Sequence, residues 1–183
     1  MKKVCVFLAD GFEEIEGLTV VDVLRRSGVE TETVSVMERK QIHGSHDILV
    51  EADKVFEEAD IAAADMLVLP GGMPGTLNLK AHEGLKEQLL AFDSQGKYLA
   101  AICAAPTVLS ELGLLKGKKV CAYPSFEDQL DCGEVLKVPT VTDGNITTGR
   151  GMGAAIPFAL KLTAILCGEE KAEEVKASIV YEG

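Results

Sequence analysis

Tryptophan is missing from the 183 residues, histidine occurs only at positions 43, 46 and 82, and the five cysteines form no C-x-x-C pair. Each absence excludes something. Cys5, Cys103, Cys121, Cys132 and Cys167 are odd in number and widely scattered, so the chain does not carry the disulfide framework of a small secreted domain. Zinc sites are built from closely spaced Cys and His; His43 and His46 have no neighbouring cysteine, and no metal or cofactor is expected. Basic residues are also scarce. Eighteen Lys and Arg against 29 Asp and Glu leave a net charge of −11, which argues against binding a phosphate backbone, where counterion release requires a basic surface. No apolar run approaches the roughly 20 residues of a membrane span, and the first one ends at Asp10 with no cleavage signal. Linkers, repeats and low-complexity segments are likewise absent. The expectation is one cytoplasmic domain spanning residues 1–183 with reduced thiols.

What is present is an alternation of strand and helix patterns, with 47% apolar residues to supply a core. Lys3 to Ala9 is a β-branched apolar run suited to a strand buried on both faces, and is read as the central strand. Ile15, Leu18, Val21 and Leu24 recur at helical spacing from Glu14 to Arg26, with Gly28 as the stop signal. Glu30 to Val36 reads as a half-exposed strand, Gln41 to Val50 as a hairpin, and Met66 to Leu69 as a strand entering Pro70-Gly71-Gly72. A helix through Leu85, Leu89 and Phe92 precedes a strand over Tyr98 to Ile102. Then come a helix from Ala104 to Leu115, a strand over Lys119 to Ala122, a hairpin turning at Asp143-Gly144-Asn145, and helices over 154–166 and 169–177. The fold class expected is α/β, with a mostly parallel sheet covered on both faces.

Ligands of such sheets collect at the carboxyl ends of the strands. Three of those ends carry candidate chemistry: Asp10 to Glu16, Pro70 to Gly75, and Cys103 to Pro106. Cys103 falls between a strand end and a helix start, where unpaired N–H groups favour a thiolate. Its neighbours Ala100, Ala101, Ala104 and Ala105 are small enough for a tight elbow. Glu16 is the expected carboxyl partner, ahead of Glu13 and Glu14, whose place in a first helical turn has an ordinary explanation. The N–H groups of Gly72 and Ala104 are candidate oxyanion donors. Cys5, Cys121 and Cys167 read as buried apolar positions, Cys132 as exposed, and Arg150 in Gly149-Arg150-Gly151 as a local structural ion.

The segments ADGFEEIE, VVDVLRRSGV, LVLPGGMPG, AAICAAPTVL, GLLKGKKV and TTGRGMG occur in that order over nearly the whole chain. In this it resembles the ThiJ/PfpI superfamily, and within it the branch of the parkinsonism-associated protein deglycase and the YajL-type proteins. The resemblance implies a flavodoxin-like three-layer α/β/α sandwich. It also implies Cys103 as an oxidisable nucleophile, Glu16 as its hydrogen-bond partner, and Gly71 and Gly72 as pocket wall. A homodimer through the first helix is implied too, bringing Arg25, Arg26 and the region of His46 toward the partner's site. Some members place a histidine where this chain has Tyr123, and peptidase-like members have one directly after the nucleophile, where this chain has Ala104. A Cys-His protease or amidotransferase therefore lacks its general base. Two functions stay open: attack of Cys103 on α-oxoaldehydes such as methylglyoxal or their protein adducts, and a non-enzymatic oxidative-stress sensor or chaperone acting through a Cys103 sulfinate.

Overall fold

The computed structural model describes Met1–Gly183. In chain order the elements are β1 (Lys3–Leu8), α1 (Glu14–Arg26), β2 (Glu30–Ser35), β3 (Gln41–His43), β4 (Leu49–Glu51), β5 (Lys54–Val55), β6 (Met66–Leu69), α2 (Gly75–Ala81) and α3 (Glu83–Ser94). They continue with β7 (Tyr98–Ile102), α4 (Pro106–Glu111), β8 (Lys119–Val120), β9 (Glu134–Val135), β10 (Thr140–Asp143), β11 (Ile146–Gly149), α5 (Ala155–Cys167) and α6 (Glu169–Ser178). Seven strands form one sheet in the order β10-β11-β7-β6-β1-β2-β5, parallel throughout except for the β10–β11 hairpin.

The two-residue period of the strands divides the core into two halves. From β1, Val4, Val6 and Leu8 pack with Val20, Val23 and Leu24 of α1 and Phe158, Ala159 and Leu162 of α5. Cys5 and Phe7 of β1, with the following Ala9, point the other way, toward Leu79 of α2, Leu85, Leu89 and Phe92 of α3, and Val108 and Leu109 of α4. Helices thus cover both faces, giving the flavodoxin-like three-layer arrangement.

Several expectations are corrected by this arrangement. The middle strand is β6, not β1, although β1 is fully flanked by β6 and β2 and is as buried as expected. Lys119 to Ala122 does not join the main sheet: β8 is two residues long and pairs with β9, because the Cys121 N–H is taken by Thr148 Oγ1 at 2.9 Å instead of a ladder carbonyl. The helix after Cys103 spans only Pro106–Glu111; Gly113, at φ +75°, turns the chain out of it. Helix α2 has no apolar stripe to mark it in the sequence, because Leu79 is buried while Leu77 is exposed. Strand β2 is mostly buried, not half exposed. Cys167, at the last turn of α5, is exposed, and Cys132 is half-buried. No helix is long and apolar enough to cross a membrane.

Candidate active site

The first, fourth and fifth strands of the parallel set, β1, β6 and β7, deliver their carboxyl ends to one place. Strand β7 ends at Ile102, and Cys103 then adopts φ +66°, the left-handed region that a side chain occupies at a cost of about 1–3 kcal/mol. Two long-range hydrogen bonds hold it there. The Cys103 N–H donates to Gly149 O at 2.9 Å, and the Tyr123 N–H donates to Cys103 O at 3.0 Å. Helix α4 begins at Pro106, whose missing N–H costs nothing in a first turn. Cys103 is half-buried, unlike Cys5 and Cys121, which are enclosed.

Beside it lies Glu16, fully buried in the first turn of α1. Its Oε2 accepts the Gly71 N–H at 2.9 Å, while Oε1 is buried without a standard hydrogen-bond partner. The carboxyl and the Cys103 thiol are close enough to shift one another's titration. Gly71 explains how two side chains and a loop fit together here: a Cβ on it would lie 2.6 Å from Glu16 Oε2 and 2.7 Å from Cys103 Cβ. Gly72, at φ +91°, approaches so closely that a Cβ would lie 2.3 Å from Glu13 N. The Glu13 N–H in turn donates to Gly71 O at 2.8 Å, joining the loops after β1 and β6.

Burial pushes the Glu16 carboxyl up to about 7, against the opposing pull of the Cys103 thiol and the Gly71 N–H. Burial, then the Glu16 charge, push the Cys103 thiol up to about 12, and the N–H groups of Ala104 and Gly72 only partly offset this. A raised carboxyl is what a buried acid held beside a thiol is expected to show. The helix behind the sulfur is too short to supply a strong dipole, and the thiol is desolvated against a carboxylate. The site sets two acids against one another, close enough for each to shift the other's titration.

The remaining expected residues fall elsewhere. Tyr123 touches the site through its backbone, while its half-exposed ring lines a neighbouring cavity. Arg26 is exposed on the last turn of α1, bound to Asp22 at 2.8 Å; Glu16 lies in the first turn, about 15 Å away at 1.5 Å per residue. Within one chain, Arg26 does not reach Cys103. His46 sits on Glu14, with Nδ1 3.0 Å from Oε2 and its N–H donating to Oε1 at 2.8 Å. Burial of Glu14 opposes its ionisation, but the His46 ring and backbone N–H groups overcome this and hold the carboxyl at about 2. The hydrogen bond that its ring makes to the Glu14 carboxylate raises His46. Sequence reasoning missed this clasp, which pins the β3–β4 hairpin to the start of α1, because the partners lie 32 residues apart. It also brings possible ligand atoms of Glu13, Glu14 and His46 within 4.8 Å of one another, a grouping that histidine and cysteine spacing does not reveal. The third histidine, His82, has a structural part: Nδ1 accepts the Leu85 N–H at 3.0 Å and caps α3, with the ring 4.4 Å from that of Phe56.

A half-buried thiol on a left-handed elbow, a buried carboxyl beside it and two backbone N–H groups directed at sulfur define a cysteine-centred site at the carboxyl edge of a flavodoxin-like sheet. The chain belongs to the DJ-1/PfpI family, whose model matches residues 2–165. It is 36% identical to protein dj-1beta of Drosophila melanogaster, covering 98% of this chain and 97% of that protein. It is 30% identical to the glutathione-independent glyoxalase DJ-1 of Schizosaccharomyces pombe, covering 98% of both. It spans about half the length of the Arabidopsis thaliana protein DJ-1 homolog A, 46% of that chain, at 36% identity. Among solved structures, oxidised Toxoplasma gondii DJ-1 superposes with a TM-score of 0.96 at 36% identity, covering 100% of both chains.

Because Glu16 is raised, its stabilising contribution is complete below pH 4.5 and lost as pH rises through 7; full ionisation costs about 3 kcal/mol at ~1.4 kcal/mol per unit. Glu16→Gln should therefore be more stable than wild type by up to about 3 kcal/mol at pH 8, with little difference at pH 4. Urea unfolding at the two pH values measures this. An equal difference at both would show that the carboxyl is not desolvated.

Proposed function

We propose that the protein converts α-oxoaldehydes such as methylglyoxal, free or as early adducts on proteins, into 2-hydroxy acids without a cofactor. The observation that supports this best is the coupling of the Cys103 thiol to a buried carboxyl poised near neutrality. The Glu16 carboxylate takes the thiol proton as sulfur adds to the aldehyde carbon. The alkoxide that forms is stabilised by the N–H groups of Gly72 and Ala104 and picks up that proton, giving a hemithioacetal. Glu16, again a carboxylate, removes the hydrogen on C1 as a proton, and the electron pair passes into an enediolate. Returning the proton to C2, with the C1 hydroxyl proton passing to the C2 oxygen, yields a thioester, and water cleaves it to lactate and free thiol. One carboxyl performs each transfer, so no histidine is required. Similarity to a relative named as a glutathione-independent glyoxalase supports the same reaction class. A reducing cytoplasmic setting suits five free cysteines.

Lactate formation from methylglyoxal tests the reading. Cys103→Ser and Glu16→Gln should each lose at least about 10²-fold in kcat/KM, the scale of a missing nucleophile or general base. The wild-type rate should rise with pH through about 7 as Glu16 ionises. Equal rates for wild type and Cys103→Ser would sink the proposal.

A second reading draws on the same two N–H donors, which could hold the oxygens of a Cys103 sulfinate, and on the oxidised state of the Toxoplasma gondii neighbour. Two molecules of peroxide would add two oxygens to sulfur and leave as two of water. Peroxide oxidation has no use for the Glu16 carboxyl as a proton carrier, so sensing or chaperone action ranks second. Under mild peroxide, mass spectrometry should find dioxidation at Cys103; preferential oxidation of the exposed Cys167 would count against it.

Helix α1 leaves Ile15 and Leu18 exposed, which supports a homodimer formed through that helix. Only a partner could bring Arg26 to the active site. Sedimentation should show a dimer that Leu18→Glu weakens at least tenfold, as expected for a charge placed in an apolar interface; a monomeric wild type would refute the arrangement.

A further inference from the structure

Next to the elbow lies a cavity of about 630 Å³ whose walls include Tyr123, Tyr181, Val138 and Met152 and whose charged groups are Lys137 and Arg150. Neither Asp nor Glu lines it, although the chain carries a net charge of −11. Lys137 is exposed and unpaired. Arg150 has one acidic partner, Glu127 behind the wall, at 3.4 Å, which is long for a charge-assisted pair. The cavity begins at the residues that clamp Cys103. Tyr123 holds the Cys103 carbonyl, and Gly149, which holds the Cys103 N–H, is followed directly by Arg150 and Gly151. Gly151 lies beside the Tyr123 ring, where a Cβ would make ordinary van der Waals contact at 3.4 Å.

We propose that this cavity binds the carboxylate arm of an extended α-oxoaldehyde, with apolar atoms of the arm against Val138 and Met152 and the carboxylate between Lys137 and Arg150. The inference rests on the reaction proposed above and names its substrate class. In a strongly acidic protein, an acid-free recess with two cations concentrates a local positive potential that the surrounding surface would otherwise oppose. Arg150 offers a planar fork to a carboxylate and Lys137 a mobile point charge. Val138 and Met152 offer apolar wall that a short methylene spacer would cover. 4,5-Dioxopentanoate has this form, with two methylenes between the dicarbonyl and the carboxylate. Moving its aldehydic hydrogen to the neighbouring carbon and adding water gives 2-hydroxyglutarate, so no oxidant or reductant is needed.

The test compares 4,5-dioxopentanoate with neutral 2-oxohexanal in wild type, Lys137→Gln and Arg150→Gln. Wild type should favour the anion at least tenfold in kcat/KM, mainly through KM, and 0.5 M salt should erode the preference. Each substitution should bring the ratio toward one. Lys137 makes no ion pair, so its variant remains informative if loss of the Arg150–Glu127 contact disturbs folding. A wild-type ratio near one, or a preference that survives both substitutions, overturns the proposal. Calorimetric titration with glutarate separates this inference from the reaction: binding lost in the variants supports the anion cavity even if methylglyoxal is not converted. Turnover of methylglyoxal without glutarate binding overturns the cavity and leaves the reaction standing.

Discussion

The backbone of Cys103 is clamped from two directions, through its N–H by Gly149 and through its carbonyl by Tyr123. A left-handed cysteine is not stable by itself. These bonds tie it to β11 on one side and to the segment after β8 on the other, so the sheet and the returning chain together meet the conformational cost. Once the elbow is fixed, the sulfur is carried at the carboxyl edge of the sheet, and the surrounding groups are placed relative to it. Phe158, fully buried beneath Gly149, braces the far side of the same clamp, since a Cβ on Gly149 would lie 2.9 Å from its ring.

The loops after β1 and β6 form the opposite wall, and their closeness depends on glycine. Gly71 and Gly72 leave no room for a Cβ because Glu16, Cys103 and the Glu13 backbone already fill that space. Burying Glu16 there destabilises its charged form and gives a carboxyl with a protonation equilibrium near neutrality. The same burial that weakens the fold at alkaline pH creates a base suited to moving protons at pH 7. Glu14, two residues away, is also buried but is met by several donors and stays ionised. Two carboxyls of one helical turn thus take opposite roles, one as a proton carrier and one as a structural anchor for the β3–β4 hairpin.

Much of the architecture was legible because strand and helix periodicity report burial directly. Tyr98–Ile102, the helix from Glu14, the Gln41–Val50 hairpin and the position of Cys103 after a strand all follow from residue pattern. Strand order did not: nothing in Lys3–Leu8 distinguishes a middle strand from one beside it, because both are covered on two faces. The brief helix after Cys103 was overestimated for a related reason. Apolar residues continue to Leu115, but Gly113 redirects the backbone, and only the register of the surrounding chain shows where the helix gives way.

The sequence by itself determined an acidic α/β chain with a cysteine at a strand end, an acidic first helical turn and no histidine beside the thiol. These are properties of single residues and their local order. Tertiary structure decided which carboxyl is desolvated, which is met by donors, and how far the thiol and Glu16 raise one another. Proton affinity depends on the distances and solvent exclusion created when β1, β6 and β7 end at one place, and those arise from contacts between residues as far apart as Glu16, Gly71 and Cys103.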